Sequence, residues 1–306
     1  MSESPPFFVI AGPTASGKSE LAVRLAEACG GEIVGADAFQ VYEGLDILTA
    51  KPAPDLRRRV PHHLIGEVPL KERFDVAQFA AAAQQRMEEI RRRGAWPIVC
   101  GGTGLYVRAL IRGLAALPSA DPELRMRLEV LPSEELGRQL AERDPVAAAQ
   151  IDMKNRRRVI RALEVCLLTG RPFSSFRTEW AGAVRARQGI ILTWDRAELH
   201  RRIAERTRRM FEQGIEDEVR AVSQIGPTAA QAIGFREIQE LIGGRMTRDA
   251  CLQTIEQATR QYAKRQMTWF RRETALEALE LSPSTNPDSL VAKLSARVAA
   301  WSIARR

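Results

Sequence analysis

The sequence predicts an α/β fold, a doubly wound parallel sheet interrupted by an all-α insertion. Three observations lead there. Short apolar runs alternate with helical patterns through the first third of the chain. A glycine-rich loop, "GPTASGKS" from Gly12 to Ser19, joins the first run to the first helix. From about Leu117 three helical patterns follow one another with no strand between them.

"FFVIAG" ends in glycine and reads as a buried strand, and "GKSELAVRLAEACG" carries helical periodicity up to its closing glycine. "EIVGAD" is a second short strand. "FDVAQFAAAAQQRMEEIRRRG" is the next helix, stopped at Gly94, and "WPIVCGG" is a third strand leading into the helix "TGLYVRALIRGL". Such alternation calls for parallel strands joined by crossover helices. "DPELRMRLEVL", "SEELGRQLAERD" and "NRRRVIRALEVCLLTG" then open on Asp, Ser and Asn, residues that cap helices. "QGIILTW" returns as a strand, so the helical block is an insertion into the core. From Glu198 the chain is expected to be mostly helical, with "LSPSTNPDS" as the loop before the last helix. The expected division is 1–116 for the first part of the core, 117–186 for the insertion and 187–306 for the rest of the core.

With 306 residues, 45% of them hydrophobic, the chain can bury a large core. Its apolar runs are far shorter than a membrane span, so no transmembrane helix is expected. "MSESPP" has neither a basic start nor a following apolar core, so no signal peptide is expected and the location is read as cytoplasmic. Cys29, Cys100, Cys166 and Cys251 are scattered and read as reduced packing residues. His62 and His63 are sequence neighbours and His200 is the only other histidine, which favours hydrogen bonding over metal binding. The net charge of +8 is compatible with a nucleic-acid partner. It is weak evidence, because runs such as Arg57 to Arg59 and Arg91 to Arg93 read as solvated faces.

Gly12, Gly17, Lys18 and Ser19 satisfy G-x-x-x-x-G-K-[ST] between a strand and a helix, a pattern that chance gives in roughly one chain in a hundred. The glycines let backbone N–H groups of the loop turn inward around an anion, the helix N-terminus adds positive potential, Lys18 neutralises phosphate oxygens, and Ser19 can ligate Mg²⁺. The expected ligand is a di- or triphosphate on a P-loop NTPase-like core. Proteins of that kind place an Asp after an apolar strand, yet here "WPIVC" runs into "GGTG". The acidic residue stands after the second strand instead, as Asp37. A helix cap and a carboxylate at the ligand-binding edge of the sheet are equal readings of that position.

"GPTASGKS", "ADAFQVYEGLDILTAKP", "PHHLI", "GGTGLYVRAL", "NRRRVIRALEV", "QAIGF" and "TRQYAKRQMTWFR" together resemble the tRNA dimethylallyltransferase family, in order over about residues 7 to 272. The resemblance implies transfer of the dimethylallyl group of dimethylallyl diphosphate to N6 of the adenosine just 3′ of the anticodon, in tRNAs that read UNN codons. It implies Asp37 as the general base, with Thr103, Lys18 and Arg206 as further catalytic residues. Gly12, Pro13, Thr14, Ala15, Ser16, Gly17, Lys18, Ser19 and Arg206 would hold the diphosphate, and Ser19 the Mg²⁺.

The resemblance also implies contacts to the tRNA anticodon stem-loop from Asp37, Ala38, Phe39, Gln40 and Thr103. Further candidates are Arg125, Arg157, Arg158 and Arg161 in the insertion, Gln231, Gly234 and Arg236 around "QAIGF", and Lys264, Arg265, Gln266 and Arg271 near the end of the core. Gln40 and Thr103 are expected on base edges, and Trp269 and Phe270 in the core. Departures from the family pattern are Gly35 and Ala38 in place of serines, Gly66 in place of aspartate and Arg157 in place of glutamine. A bacterial-type, monomeric enzyme is expected. The alternatives are a small-molecule kinase, an adenylate isopentenyltransferase, and an RNA-binding P-loop ATPase.

Overall fold

The structure is a computed structural model that describes residues 7–115, 117–177 and 189–303. These residues fall into two compact units, one running to Ile111 and resumed from Gly189, the other starting at Arg112.

The first unit is built on a six-stranded sheet: β1 (Phe8–Ala11), β2 (Gly31–Gly35), β3 (His62–His63), β4 (Trp96–Gly101), β5 (Gly189–Trp194) and β6 (Glu277–Leu281). Every pairing is parallel and the order is β3-β2-β4-β1-β5-β6. Strand periodicity sends alternate residues to opposite faces. Phe8 and Ile10 therefore meet Ile33, Ile98 and Ile190 under α1 (Lys18–Cys29) and α13 (Pro287–Ile303). Val9 and Ala11 face the other way, with Val34 and Val99, under α3 (Val76–Arg92) and α4 (Gly104–Arg112). Burial on both faces is why these strands read as continuous apolar runs.

The local signals behave as their chemistry requires. Asp75 and Gln78 form a reciprocal capping box at the start of α3. Two strands lay outside the sequence reading. β3 has only two residues, too few to show a period, and "EALEL" of β6 is made of helix formers that become a strand by pairing with β5, from Ile190 opposite Glu277 to Trp194 opposite Leu281. The histidine pair hydrogen-bonds as expected: His62 Nδ1 donates to Val60 O at 2.8 Å, and His63 Nε2 lies 2.7 Å from Glu32 Oε2.

The remaining helices of this unit carry the site. Those used below are α9 (Arg196–Glu212), α11 (Phe235–Ile242) and α12 (Arg248–Phe270). On α12, Tyr262, Gln266 and Trp269 fall at i, i+4 and i+7 and so share one face. That face lies on the β4–α4 turn so closely that a Cβ added to Gly104 would sit 2.2 Å from the Trp269 ring. Phe270 is buried and Trp269 packs against the same cluster, which fits the core reading of both.

The second unit is helical: α5 (Pro122–Glu129), α6 (Ser133–Arg143), α7 (Pro145–Gln150) and α8 (Arg156–Thr169), then a 3₁₀ turn at Phe173–Arg177. Its core is Leu128, Leu136, Leu140, Val159, Ile160 and Leu163 with their neighbours. Asp121 and Asn155 cap α5 and α8 through their side chains as expected. Ser133 does not cap α6; Pro132 holds that position with no side-chain bond, so the serine is the first helical residue.

Gly104→Ala must push the Trp269 ring aside and is expected to cost about 1–3 kcal/mol. A urea titration should show a lower midpoint with an unchanged slope; an unchanged midpoint would refute the close packing.

Candidate functional site

β2, β4 and β1 are neighbours, so the residues that follow each of them gather at one carboxyl edge of the sheet. Asp37 follows β2, Thr103 follows β4, and the glycine-rich loop follows β1.

The loop folds as its motif requires. Gly17 sits at the N-cap of α1 with φ 86°, and no side chain caps the helix, so its first amides remain for an anion. Ala15, not a glycine, has φ 64°. Three neighbours hold this unfavourable conformation. Arg202 Nε donates to Ala15 O at 2.9 Å, Trp194 Nε1 donates to Ser16 O at 2.9 Å, and Thr14 N–H donates to Gln266 Oε1 at 2.9 Å. The Arg202 guanidinium also lies 4.4 Å from the centre of the Trp194 ring.

Two cations flank the loop. The Lys18 ammonium donates to Pro13 O at 3.3 Å, and burial lowers its pKa against the raising influence of Cys100 and Asp37. Arg206 donates to Thr14 Oγ1 at 2.5 Å, while its Nε is buried with no partner. Burial pushes its pKa down to about 10, again opposed by Asp37, so it stays protonated at neutral pH. Ser16 Oγ is a second buried atom without a partner in the same loop. Partly desolvated cations and orphan donors around a bare helix N-terminus make a receptor for a polyanion.

Asp37 satisfies both of its sequence readings at once. Its Oδ1 accepts from Phe39 N at 3.0 Å and Gln40 N at 3.4 Å, which is the turn-capping role. Its charge nevertheless reaches Lys18, Arg206 and Tyr262, and it lines the same cleft of about 650 Å³. The cleft has an apolar side as well, with Leu48, Met210, Ile215 and Ile255. The lining thus sets cationic and apolar groups around one space.

The other expected residues divide. Ala38 N donates to Thr103 Oγ1 at 2.9 Å, which fixes the Asp37 segment against the β4–α4 turn. Phe39 is packed against an apolar cluster. Gln40 was expected on a base edge, but its amide hydrogens go to Thr49 O at 3.1 Å and Ala50 O at 2.9 Å. Gln266 was expected at the RNA and is instead buried, with its oxygen on Thr14 N and its nitrogen 2.8 Å from Gly102 O. A side chain with both ends engaged inside the protein is a clamp, not a reader. Gln231 donates to Pro227 O, and Gly234 is buried at the N-cap of α11. Arg236, Lys264, Arg265 and Arg271 are exposed.

At Gly35, a serine of the family pattern would bring its Cβ 2.8 Å from Ile65 Cγ1 and 3.0 Å from Leu64 O, so the glycine lets the end of β2 lie close to the segment after β3. In the helical unit, Arg125 and Arg161 both bind the fully buried Glu164 at 2.6 Å. Arg157 and Arg158 are exposed on α8.

Sequence reasoning passed over Arg202, Trp194 and Tyr262. Arg202 stands one helical turn before Arg206 and Tyr262 one turn before Gln266, and that spacing was the available signal. Among the described residues no group of three or more His, Cys, Asp or Glu could hold a metal. A hard dication fits here only as P-loops hold it, with the Ser19 hydroxyl as one protein oxygen and the remainder from ligand and water.

A family model described as IPP transferase matches residues 40–273, and one described as Isopentenyl transferase matches residues 5–61. The chain is similar to a tRNA dimethylallyltransferase of Geobacter sulfurreducens, 44% identical over 93% of this chain and 94% of the relative. A second relative, tRNA dimethylallyltransferase 1 of Citrifermentans bemidjiense, is 47% identical over 89% of this chain and 91% of its own. Among solved structures, the tRNA isopentenylpyrophosphate transferase of Bacillus halodurans matches with a TM-score of 0.69 at 35% identity, covering 98% of this chain and 96% of that one. A eukaryotic dimethylallyltransferase acting on tRNA matches with a TM-score of 0.81 at 26% identity, covering 98% of this chain and 80% of that one.

Removing the Arg206 guanidinium deletes a charge-assisted contact of about 1.5–3 kcal/mol. Calorimetry with inorganic diphosphate should show Arg206→Ala binding about ten to a hundred times more weakly, with an unchanged circular dichroism spectrum. Equal affinity would remove Arg206 from the anion site.

Proposed function

We propose that this chain, which belongs to the IPP transferase family, transfers the dimethylallyl group of dimethylallyl diphosphate to N6 of the adenosine just 3′ of the tRNA anticodon. It is an enzyme that prenylates tRNA. One observation carries the assignment of roles: Asp37 faces the same cleft as Lys18 and Arg206, close enough for its charge to act on both.

The donor's diphosphate lies in the loop from Gly12 to Ser19, against the amides that begin α1, with its tail toward Leu48, Met210 and Ile255. N6 of the adenosine forms a bond to C1 of the dimethylallyl group as the bond from C1 to the diphosphate oxygen breaks. The adenine amino group is a poor nucleophile, because its lone pair is delocalised into the ring, so its proton must have an acceptor at hand. Asp37 takes that proton, and the turn bonds to its Oδ1 keep the carboxylate in one orientation. The departing diphosphate gains charge, which Lys18 and Arg206 balance. Mg²⁺ held at Ser19 would supply further charge neutralisation to the diphosphate oxygens.

N6 becomes reachable only when the adenosine leaves the anticodon-loop stack, and unstacked loop bases are the usual targets of sequence-specific RNA reading. The exposed cations Arg157, Arg158, Arg236, Lys264, Arg265 and Arg271 are proposed as contacts to the tRNA backbone. Arg125 and Arg161, a quarter to a third exposed while bound to Glu164, are proposed to present the rest of their guanidinium faces.

The reaction is tested by incubating the protein with Mg²⁺, labelled dimethylallyl diphosphate and unmodified tRNA that reads UNN codons; label in the tRNA is expected, and none would refute it. Asp37→Ala should lower turnover by roughly 10²–10⁴ with little change in tRNA affinity. Arg158→Ala should weaken tRNA binding and reduce the slope of log affinity against log salt by about 1, leaving diphosphate affinity intact. An unchanged slope would return Arg158 to the solvated surface.

A further inference from the structure

Leu48 stands in the cleft wall on a short turn, Leu45 to Lys51, that belongs to no helix or strand. Two residues of this turn that are not glycine, Leu45 and Ala50, have left-handed φ angles of 49° and 51°. Such strain persists only where the surroundings over-determine it, and it clusters at active sites and ligand clamps.

Three side chains restrain the turn. Glu218, on α10 (Ile215–Arg220), accepts from Ile47 N at 2.7 Å with Oε1 and from Leu48 N at 2.8 Å with Oε2, so one carboxylate caps the start of the turn from a distant helix. Gln40 holds its end, donating to Thr49 O and Ala50 O, while its own backbone N–H reaches Asp37 Oδ1 at 3.4 Å. Lys51 Nζ closes the turn on Asp46 Oδ1 at 2.6 Å and on Gly44 O at 2.5 Å. Behind the wall, a Cβ added to Gly234 would lie 3.0 Å from Leu48 Cδ1 and 3.2 Å from Ile255 Cδ1. The bare glycine lets both side chains press on the backbone, and both belong to one buried cluster with Met210 and Ile215. A wall packed to this density does not take up added methylenes without cost.

We propose that this turn gauges the length of the donor's hydrocarbon: Leu48 stops the tail after one five-carbon unit, and Glu218, outside the cleft lining, is a positioning residue that holds Leu48 there. This rests on the reaction proposed above and adds what excludes longer allylic diphosphates. Geranyl diphosphate has the same diphosphate and the same reacting C1 as the dimethylallyl donor, so the head of the site cannot tell them apart. Only the far wall can, because the ten-carbon tail has to drive its extra carbons into Leu48 and Ile255. An apolar pocket discriminates by roughly 10–200-fold for a single methylene, which makes a further isoprene unit ample for exclusion.

The test supplies equal amounts of dimethylallyl and geranyl diphosphate with Mg²⁺ and unmodified tRNA, and reads five-carbon against ten-carbon adducts on adenosine by mass spectrometry. The wild type is expected to favour the five-carbon adduct by about a hundredfold or more. Leu48→Ala opens the wall onto the bare Gly234 backbone and should cut that ratio by about tenfold or more; Leu48→Val, a smaller truncation, should move it in the same direction. Glu218→Gln leaves one acceptor oxygen where two N–H groups each had one, and should cut the ratio by about three- to tenfold, the range for one hydrogen bond, with KM for tRNA unchanged. Two donors competing in one tube meet the same folded molecules, so lost stability does not move the ratio. A wild type that uses both donors alike, or Leu48 variants with the wild-type ratio, would overturn the gauge. A Glu218→Gln enzyme with a lower melting temperature and the wild-type ratio would overturn the positioning role. No adduct from either donor would overturn the reaction instead, so the failures are distinct.

Discussion

The site depends on one buried amide. Gln266 on α12 holds Thr14 of the phosphate loop with its oxygen and Gly102 of the β4–α4 turn with its nitrogen. In the same turn, Thr103 Oγ1 accepts from the backbone of Ala38 beside Asp37. Segments from three strands and a distant helix are thereby fixed to one another inside the protein, where an unmade hydrogen bond costs the full desolvation of the group left behind. In the proposed reaction that rigidity would serve catalysis, because a base and an anion receptor set on separate loops would otherwise drift independently.

The charges around that frame are held in tension. Lys18 and Arg206 are both partly removed from water, and both have pKa values pushed down by burial. Asp37 relieves them in part through its field, while its Oδ1 is tied to backbone N–H groups. A diphosphate would relieve them further, and an adenosine proton taken by Asp37 would remove the carboxylate's contribution as diphosphate charge grows. Arg202 and Trp194 keep the loop in place meanwhile, and their bonds offset the cost of the left-handed Ala15. The charge assigned by sequence to RNA is likewise divided: Arg125 and Arg161 satisfy the buried carboxylate of Glu164, whereas Arg157 and Arg158 face solvent. Net charge counts these arginines alike; burial separates them.

The sequence by itself determined the sheet-and-helix alternation, the phosphate loop and the position of Asp37 after the second strand, because each rests on local spacing or periodicity that no distant contact has to supply. It also shows no Asp directly after "WPIVC", where nucleotide-hydrolysing P-loop proteins hold their Mg²⁺. Tertiary structure alone decided the rest. "EALEL" became a strand because the edge of β5 was open to it. Gln266 left the RNA and became a clamp, and Arg202 acquired a role, because their partners stand from about 160 to 250 residues away in sequence, from Gly102 to Thr14 and Ala15. A polar side chain shows its type in the sequence but not its partner, and for a hydrogen-bonding group the partner is what fixes the role.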